Sequence, residues 1–360
     1  MANVPYDPEV ARQLLAASIA QQPPPLAVPL PVSDWVGMSC LQKGIRRANE
    51  SLALRAAATL LESKPDRLWR RCAGISFEEV GVADLKTISL VMAALTGKRY
   101  RADVGGDWAV ASFIVSAMSR ASKCRASDDL MMAVELHPRL ERARSDLATL
   151  STSDLLHIAT GSSSLFERAI AAWYAAGTYW RTTRHLLPRR GEPQLLFDHL
   201  KSQDYPSALV DLAREGYRKG AAMLAPLVAM LSLLHHVPVV TENDQFPPEN
   251  MIGDVTGWAL DLYSREGRAC LEAFLGGGSA AAVWVRAHIA PPQRLRFLGG
   301  VLFRVEGGLV RQRLRWPIGD KLRRMMDVEC HGPHCPDATE ILNLMRADLP
   351  QLNEVRRHAW

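Results

Sequence analysis

Apolar residues along this chain recur mostly three or four positions apart, which predicts a succession of amphipathic helices rather than a sheet. The first helix is expected from Pro8 to Ala20, opened by Asp7 and closed before Pro23-Pro24-Pro25. Gln21 to Pro31 holds five prolines and reads as an extended connector with polyproline II character. Asp34 or Ser39 can then cap a helical stretch whose apolar side is Leu41, Ile45, Leu52, Leu54 and Leu60-Leu61. Pro65-Asp66 opens another, carrying Leu68, Trp69 and Arg70-Arg71. Further helices are expected at Asp84 to Leu95, Asp107 to Ser119, Ser127 to Leu136, Pro138 to Leu147 and Ser151 to Ile158, then at Ser164 to Gly177, Pro206 to Gly216 and Gly220 to Leu234.

The pattern changes near Thr241. A Pro-rich polar loop to Asn250 precedes helices at Val255 to Leu275 and Ser279 to Ile289, and Pro291-Pro292 ends the second. Val301 to Val305 and Val310 to Trp316, separated by Glu306-Gly307-Gly308, predict a short β-hairpin. Strand alternation would put Arg311, Arg313 and Arg315 on one face and Val310, Gln312, Leu314 and Trp316 on the other. The fold class is therefore mainly α: a multi-helical body with a small basic β-hairpin at 301–316. Three parts are expected: a helix and connector at 1–34, a helical domain at 35–240, and a C-terminal region at 241–360.

Composition narrows this reading. With 48% hydrophobic and 22% charged residues, 360 residues can bury a large core, which excludes a disordered or fibrous chain. Six scattered cysteines are not a disulfide framework, and Cys40, Cys72, Cys124 and Cys270 read as small buried side chains in a reducing cytoplasm. The N-terminus lacks the basic and apolar regions of a secretory signal. Ala221 to Val240 is broken by Pro226, His235, His236 and Pro238, so it reads as a buried helix, with no membrane partner.

The net charge of +5 matters through its placement. Between Arg286 and Arg324 ten bases face only Glu306 and Asp320, a local +8 against −3 elsewhere. Arg294, Arg296, Arg304, Arg311, Arg313, Arg315, Arg323 and Arg324 thus form the candidate nucleic-acid site, because guanidinium forks suit phosphate. The same arginines could instead pair with acids from the helical body, and both readings stand at this point. Cys330, His331, His334 and Cys335 are the compact ligand cluster, but their spacing fits no zinc finger, so neither metal nor cofactor is expected. The chain has no GxxxxGK[ST], HExxH or GxSxG motif, and Glu78-Glu79 has no obvious acid–base partner. The Gly161-Ser162-Ser163-Ser164 run reads as a turn and cap, and Trp173, Tyr174, Tyr179 and Trp180 as packing rather than a stacking platform.

Residues 35–85 add a resemblance. Leu41, Lys43, Arg46 and Arg47, then Ala53, Ala56 and Ala57, are followed by Asp66, Trp69-Arg70-Arg71, Ser76, Glu78-Glu79, Val80-Gly81 and Ala83-Asp84. This order resembles the C-terminal helical, collar-like region of clamp-loader-related AAA+ ATPases, especially the bacterial replication-associated recombination and maintenance-of-genome-stability family. Glu79 stands where that family has aspartate. The likeness spans about 50 of 360 residues and leaves out the ATPase domain, so it implies no ATP hydrolysis. It implies a DNA-transaction accessory module with Lys43, Arg46, Arg47, Arg70 and Arg71 as a secondary basic site. Trp258 to Arg268 also resembles uncharacterised proteins encoded near mobile elements, which implies no activity. The expectation is a non-enzymatic DNA-associated accessory protein acting in replication, repair or mobile-element maintenance. Its partners would be a DNA or RNA phosphate backbone, a second copy of the chain, and a replication or repair protein. The alternative is an oligomerising protein-interaction scaffold.

Overall fold

A computed structural model describes residues 6–179, 185–203, 205–234, 240–329 and 338–359. Nineteen α-helices among them carry the fold. The N-terminal half contains α1 (Pro8–Ala20), α2 (Asp34–Arg46), α3 (Glu50–Ser63), α4 (Pro65–Ile75), α5 (Leu85–Ala94), α6 (Lys98–Asp103), α7 (Asp107–Arg120) and α8 (Ala126–Leu136). Then come α9 (Glu141–Ala148), α10 (Thr152–Gly161), α11 (Leu165–Ala176), α12 (Pro193–Ser202), α13 (Ser207–Gly220) and α14 (Ala225–Ser232). The C-terminal part holds α15 (Arg265–Gly276), α16 (Ala280–His288), α17 (Arg294–Leu302), α18 (Pro317–Glu329) and α19 (Ala338–Ala359). Single π-helical turns at Ser76–Val80 and Phe303–Gly307 extend α4 and α17.

Local chemistry explains the starts. Asp7 accepts from the Glu9 and Val10 amides with Pro8 at the first position, so α1 begins where the sequence predicts. Its Ala11, Leu15 and Ile19, four apart, are buried and lay the helix on α5. Ser33 rather than Asp34 caps α2. Small residues let α2 and α3 approach closely, for a Cβ on Gly44 would lie 3.1 Å from that of Ala53. The apolar run after Ala221 gives α14, whose residues 225–231 are all buried. Among the described residues no helix is long and apolar enough to cross a membrane.

The apolar side chains form two main cores. The first draws on residues from Ala11 to Leu260 and takes back Leu314, Trp316 and Leu322. The second joins α15, α16, α17 and α19 through Leu271, Phe274, Val285, Leu298, Ile341 and Met345. The chain beyond Thr241 thus contributes to both.

The expected hairpin at 301–316 is absent. Phe297, Leu298, Val301, Leu302 and Val305 instead make a helical stripe buried in the second core, so helical period overrides the β-branched and aromatic composition. Thr241–Glu242 is β1, Met251–Ile252 and Val255–Thr256 are β2 and β3, and Arg313–Leu314 is β4. β4 pairs antiparallel with β1, and β2 with β3. The Arg311/Arg313/Arg315 face is also lost. Gln312 has φ 54°, which breaks the alternation, so Arg311 and Gln312 are exposed while Arg313 and Leu314 are both buried.

Candidate nucleic-acid interface and the charge network behind it

The basic window divides by what each cation does. Arg286 donates to the Gly277 carbonyl at 2.8 Å, just beyond α15. Arg294 reaches the Ile289 and Arg286 carbonyls at 2.9 and 2.8 Å, closing α16. Arg304 donates to the Met326 carbonyl at 2.7 Å, in the last turn of α18. These three complete helix C-termini, where free carbonyls and the helix dipole favour a cation.

Three others meet carboxylates. Arg313 forms a fork on Asp244, with Nε–Oδ1 3.1 Å and Nη2–Oδ2 2.7 Å, and Arg323 adds a 2.8 Å bond to the same Oδ1. Arg315 lies between Glu242 and Asp320, with Nε 2.9 Å from Asp320 Oδ1. The Asp244 carboxyl is pushed up by burial, but the Arg313 hydrogen bond and the Arg313 and Arg323 charges hold it below the usual carboxylate range. For Arg313, Arg315 and Arg323 the pairing with acids, left open by the sequence, is what the structure shows. Two acids from the 241–250 loop, about seventy residues away in sequence, pair with two of the three arginines at 311, 313 and 315.

Four cations of the window are exposed with no carboxylate partner among the described residues: Arg296, Arg311, Lys321 and Arg324. Arg311 lies 5.2 Å over the Phe246 ring. Over residues 241–244 and 311–324, Arg311, Arg313, Arg315, Lys321, Arg323 and Arg324 stand against Glu242, Asp244 and Asp320, a local excess of three positive charges before Asp327 and Glu329 at the far end of α18.

The secondary basic positions are mostly interior. Lys43 donates 2.6 Å bonds to Asp261 Oδ2 and to the Trp258 carbonyl. Burial lowers its pKa while Asp261 opposes the shift. Arg46 grips Glu79 through Nε and Nη2 at 2.9 and 2.6 Å and also donates to the Gly307 carbonyl. Arg47 donates to the Glu306 carbonyl and lies between Phe246 and Trp258, 4.8 and 4.7 Å from their ring centres. Burial pushes it down to about 10. Arg71 bonds Gln42, and only Arg70 is fully on the surface. Lys43, Arg46 and Arg47 therefore cannot meet phosphate without exposing this interior.

Glu79 is the centre of the network. It is wholly buried and accepts from Gln42, Arg46 and Arg125. Burial would raise its carboxyl, but Arg125 and Arg46 outweigh it and hold Glu79 ionised far below the usual range. Arg125 also binds Asp128. Asp128 is pushed up to about 7 by burial, reinforced by Glu78 and Asp129 and opposed by Arg125. The Phe303 ring sits between Arg46 and Arg125, 5.3 and 5.5 Å from the two guanidinium carbons. Arg356, with no exposed surface, bonds Glu306 Oε2 at 2.9 Å, Asn353 Oδ1 at 2.8 Å and the Leu260 carbonyl at 3.0 Å. The seam between the two cores is thus polar, and the residues that carry the resemblance at 35–85 line it.

Gly81 makes the turn after Glu79 feasible. Its φ is 52°, and a Cβ there would lie 2.4 Å from the Cys124 carbonyl oxygen. The same approach lets the Cys124 amide bond the Glu79 carbonyl at 2.8 Å, which delivers Arg125 to the carboxylate. Gly81→Ala is expected to cost about 1–3 kcal/mol by overpacking, read as a lowered urea midpoint with unchanged slope.

The partners Arg125, Asp244, Asp261, Glu306 and Arg356 are not identifiable from their local sequence. The available signal was Glu78-Glu79, two adjacent acids in an otherwise apolar stretch. Cys40, Cys72, Cys124 and Cys270 are buried free thiols as expected. His235-His236, Trp180 and the Cys330, His331, His334 and Cys335 cluster lie outside the described residues. Among the described residues no group of three or more ligating side chains could hold a metal. Trp173 and Tyr174 are buried in helix packing. Near a concavity of about 360 Å³ bounded by Leu147, His157, Ile158 and Glu167, Ser162 donates to Glu167 at 2.7 Å and not to His157. Ser164 caps α11, so the serine run is a turn. Comparison with protein-family models, curated proteins and solved structures gave no match.

Proposed function

We propose that this protein is a non-enzymatic, nucleic-acid-associated accessory factor whose phosphate contacts come from the β1–β4–α18 face. The supporting observation is the excess of exposed cations that remains there after helix capping and ion pairing. Arg311, Lys321 and Arg324 are the principal contacts, with the partly exposed Arg315 and Arg323 each able to divide its N–H donors between its acid and a phosphate. Arg313 holds the strand in place. The replication, repair or mobile-element setting rests on the resemblance of residues 35–85.

Salt-titrated binding to single- and double-stranded oligonucleotides tests this. The triple variant Arg311→Ala/Lys321→Ala/Arg324→Ala is expected to flatten the log–log salt slope on duplex DNA by about 2–3. Absence of binding at low salt, or an unchanged slope in the variant, overturns it. The second reading is a protein-interaction scaffold, favoured by the exposed apolar side chains Val10, Leu14, Leu26, Val28 and Trp35 of the N-terminal region.

A further inference from the structure

The proline-rich connector between α1 and α2 is absorbed by neither core nor basic face. Residues 21–26 are all exposed; Leu26 is fully so and Val28 is 73% exposed. An exposed linker of this composition would ordinarily be free, yet here one edge is fixed to the body. Trp108 Nε1 donates to the Pro25 carbonyl at 2.9 Å, and Arg55 Nε to the Val28 carbonyl at 3.1 Å. Thr59 Oγ1 accepts from the Leu30 amide at 2.7 Å and donates to the Leu30 carbonyl at 3.2 Å. Arg55 is itself fixed by Asp254 at 3.0 Å.

Carbonyls at 25 and 28 are three residues apart, which is one turn of polyproline II. In a polyproline II ribbon, which the proline content favours, these two carbonyls would lie on one edge, and the body would hold that edge. The carbonyls of Pro23, Pro24, Leu26 and Ala27 accept no hydrogen bond from the described residues, and the side chains of Pro23, Pro24, Pro25 and Leu26 face solvent. An indole N–H on a carbonyl of a proline-rich ribbon is how aromatic-lined grooves recognise such segments. Trp108 applies that chemistry from within the molecule to one edge only.

We propose that residues 23–28 are a preformed docking ridge for a protein domain with an aromatic-lined, polyproline-binding groove, with Leu26 as the anchoring side chain. Because the ribbon is already tethered, docking orders little new backbone, which favours binding by a short segment. This goes beyond the nucleic-acid reading and uses a different surface.

The test titrates the full chain against isolated WW and SH3 domains and reads the tryptophan fluorescence of each domain. Saturable binding to at least one is expected, weakened about tenfold or more in Leu26→Ser, the loss of one buried leucine side chain. The variant should keep the wild-type urea midpoint, since Leu26 touches nothing in the core, and should keep its oligonucleotide binding. No saturable binding to any of these domains, or binding equally strong in Leu26→Ser, overturns the proposal. Loss of nucleic-acid binding in the Arg311/Lys321/Arg324 variant leaves it untouched, so the two readings fail separately.

Discussion

Replacing Glu79 by alanine is expected to destabilise the protein by about 3–5 kcal/mol, because it takes from two buried guanidinium groups the carboxylate that they share. Arg46 and Arg125 share that carboxylate at full burial, and the remaining acid near Arg46, Glu78, approaches only to 3.8 Å without a hydrogen bond. Arg125 keeps Asp128, so Arg46 loses more. Glu79→Gln should recover only part of the loss, since it restores shape and one acceptor but no charge. Adding Arg46→Met to Glu79→Ala should recover stability rather than lose more, because the pair is strongly non-additive. Urea unfolding of the four proteins decides this; a Glu79→Ala midpoint within error of wild type would contradict it. The acid side follows in sign. The folded-state pKa of Glu79 lies below its unfolded value, so its contribution is present above the ordinary carboxylate range and is lost as pH falls through the folded value. Wild type should therefore lose more stability between neutral pH and strong acid than Glu79→Ala does.

Arg356→Ala should have a comparable total cost, about 3–5 kcal/mol, but a different distribution. It leaves the Glu306 carboxylate and the Leu260 carbonyl buried without their donor, both at the seam between the cores. The second core is smaller, and α19 contributes Ile341, Met345, Leu349 and Leu352 to it. Amide hydrogen exchange is therefore expected to speed up first in α15–α17 and α19, while α2, α3 and α7 keep their protection. Arg356→Lys should not rescue it, since a single ammonium cannot span the Glu306, Asn353 and Leu260 acceptors that the planar fork reaches. Uniformly faster exchange across both cores would mean that the seam does not separate them energetically.

Much of the helical body is readable from periodicity because its helices bury one face locally. α1 and α7 match their expected spans within a residue, and α5, α8 and α11 to within one at each end. What fails is instructive. Val301 to Val305 has strand composition, but its apolar residues continue the phase of Phe297 and Leu298, and a partner core decides between the two. The 255–275 region was expected as one helix; β3 and a 3₁₀ turn occupy its start, because Trp258, Ala259 and Leu260 reach the first core and Lys43 binds the Trp258 carbonyl. The arginine run misleads for a different reason. Charge counted along sequence omits Asp244 and Glu242, which arrive through β1, and omits carbonyls of helix ends, which carry no letter. The possibility that arginines pair with acids of the body was visible in the sequence; which arginines do so was not.

The two π turns have a common geometry. Each inserts one residue into an α-helix, and each carries a glutamate, Glu79 or Glu306, at its fourth position, with a glycine two or one residues further on. An α-helix advances by about 100° per residue, so each insertion puts its glutamate out of phase with the helix before it. Both phase slips point a carboxylate into the seam, where buried arginines receive it. The junction is thus encoded as a pair of one-residue dislocations. Chain length between helix and glycine is fixed there more tightly than side-chain identity, and a length change in either turn is the kind of variation this fold is least able to absorb.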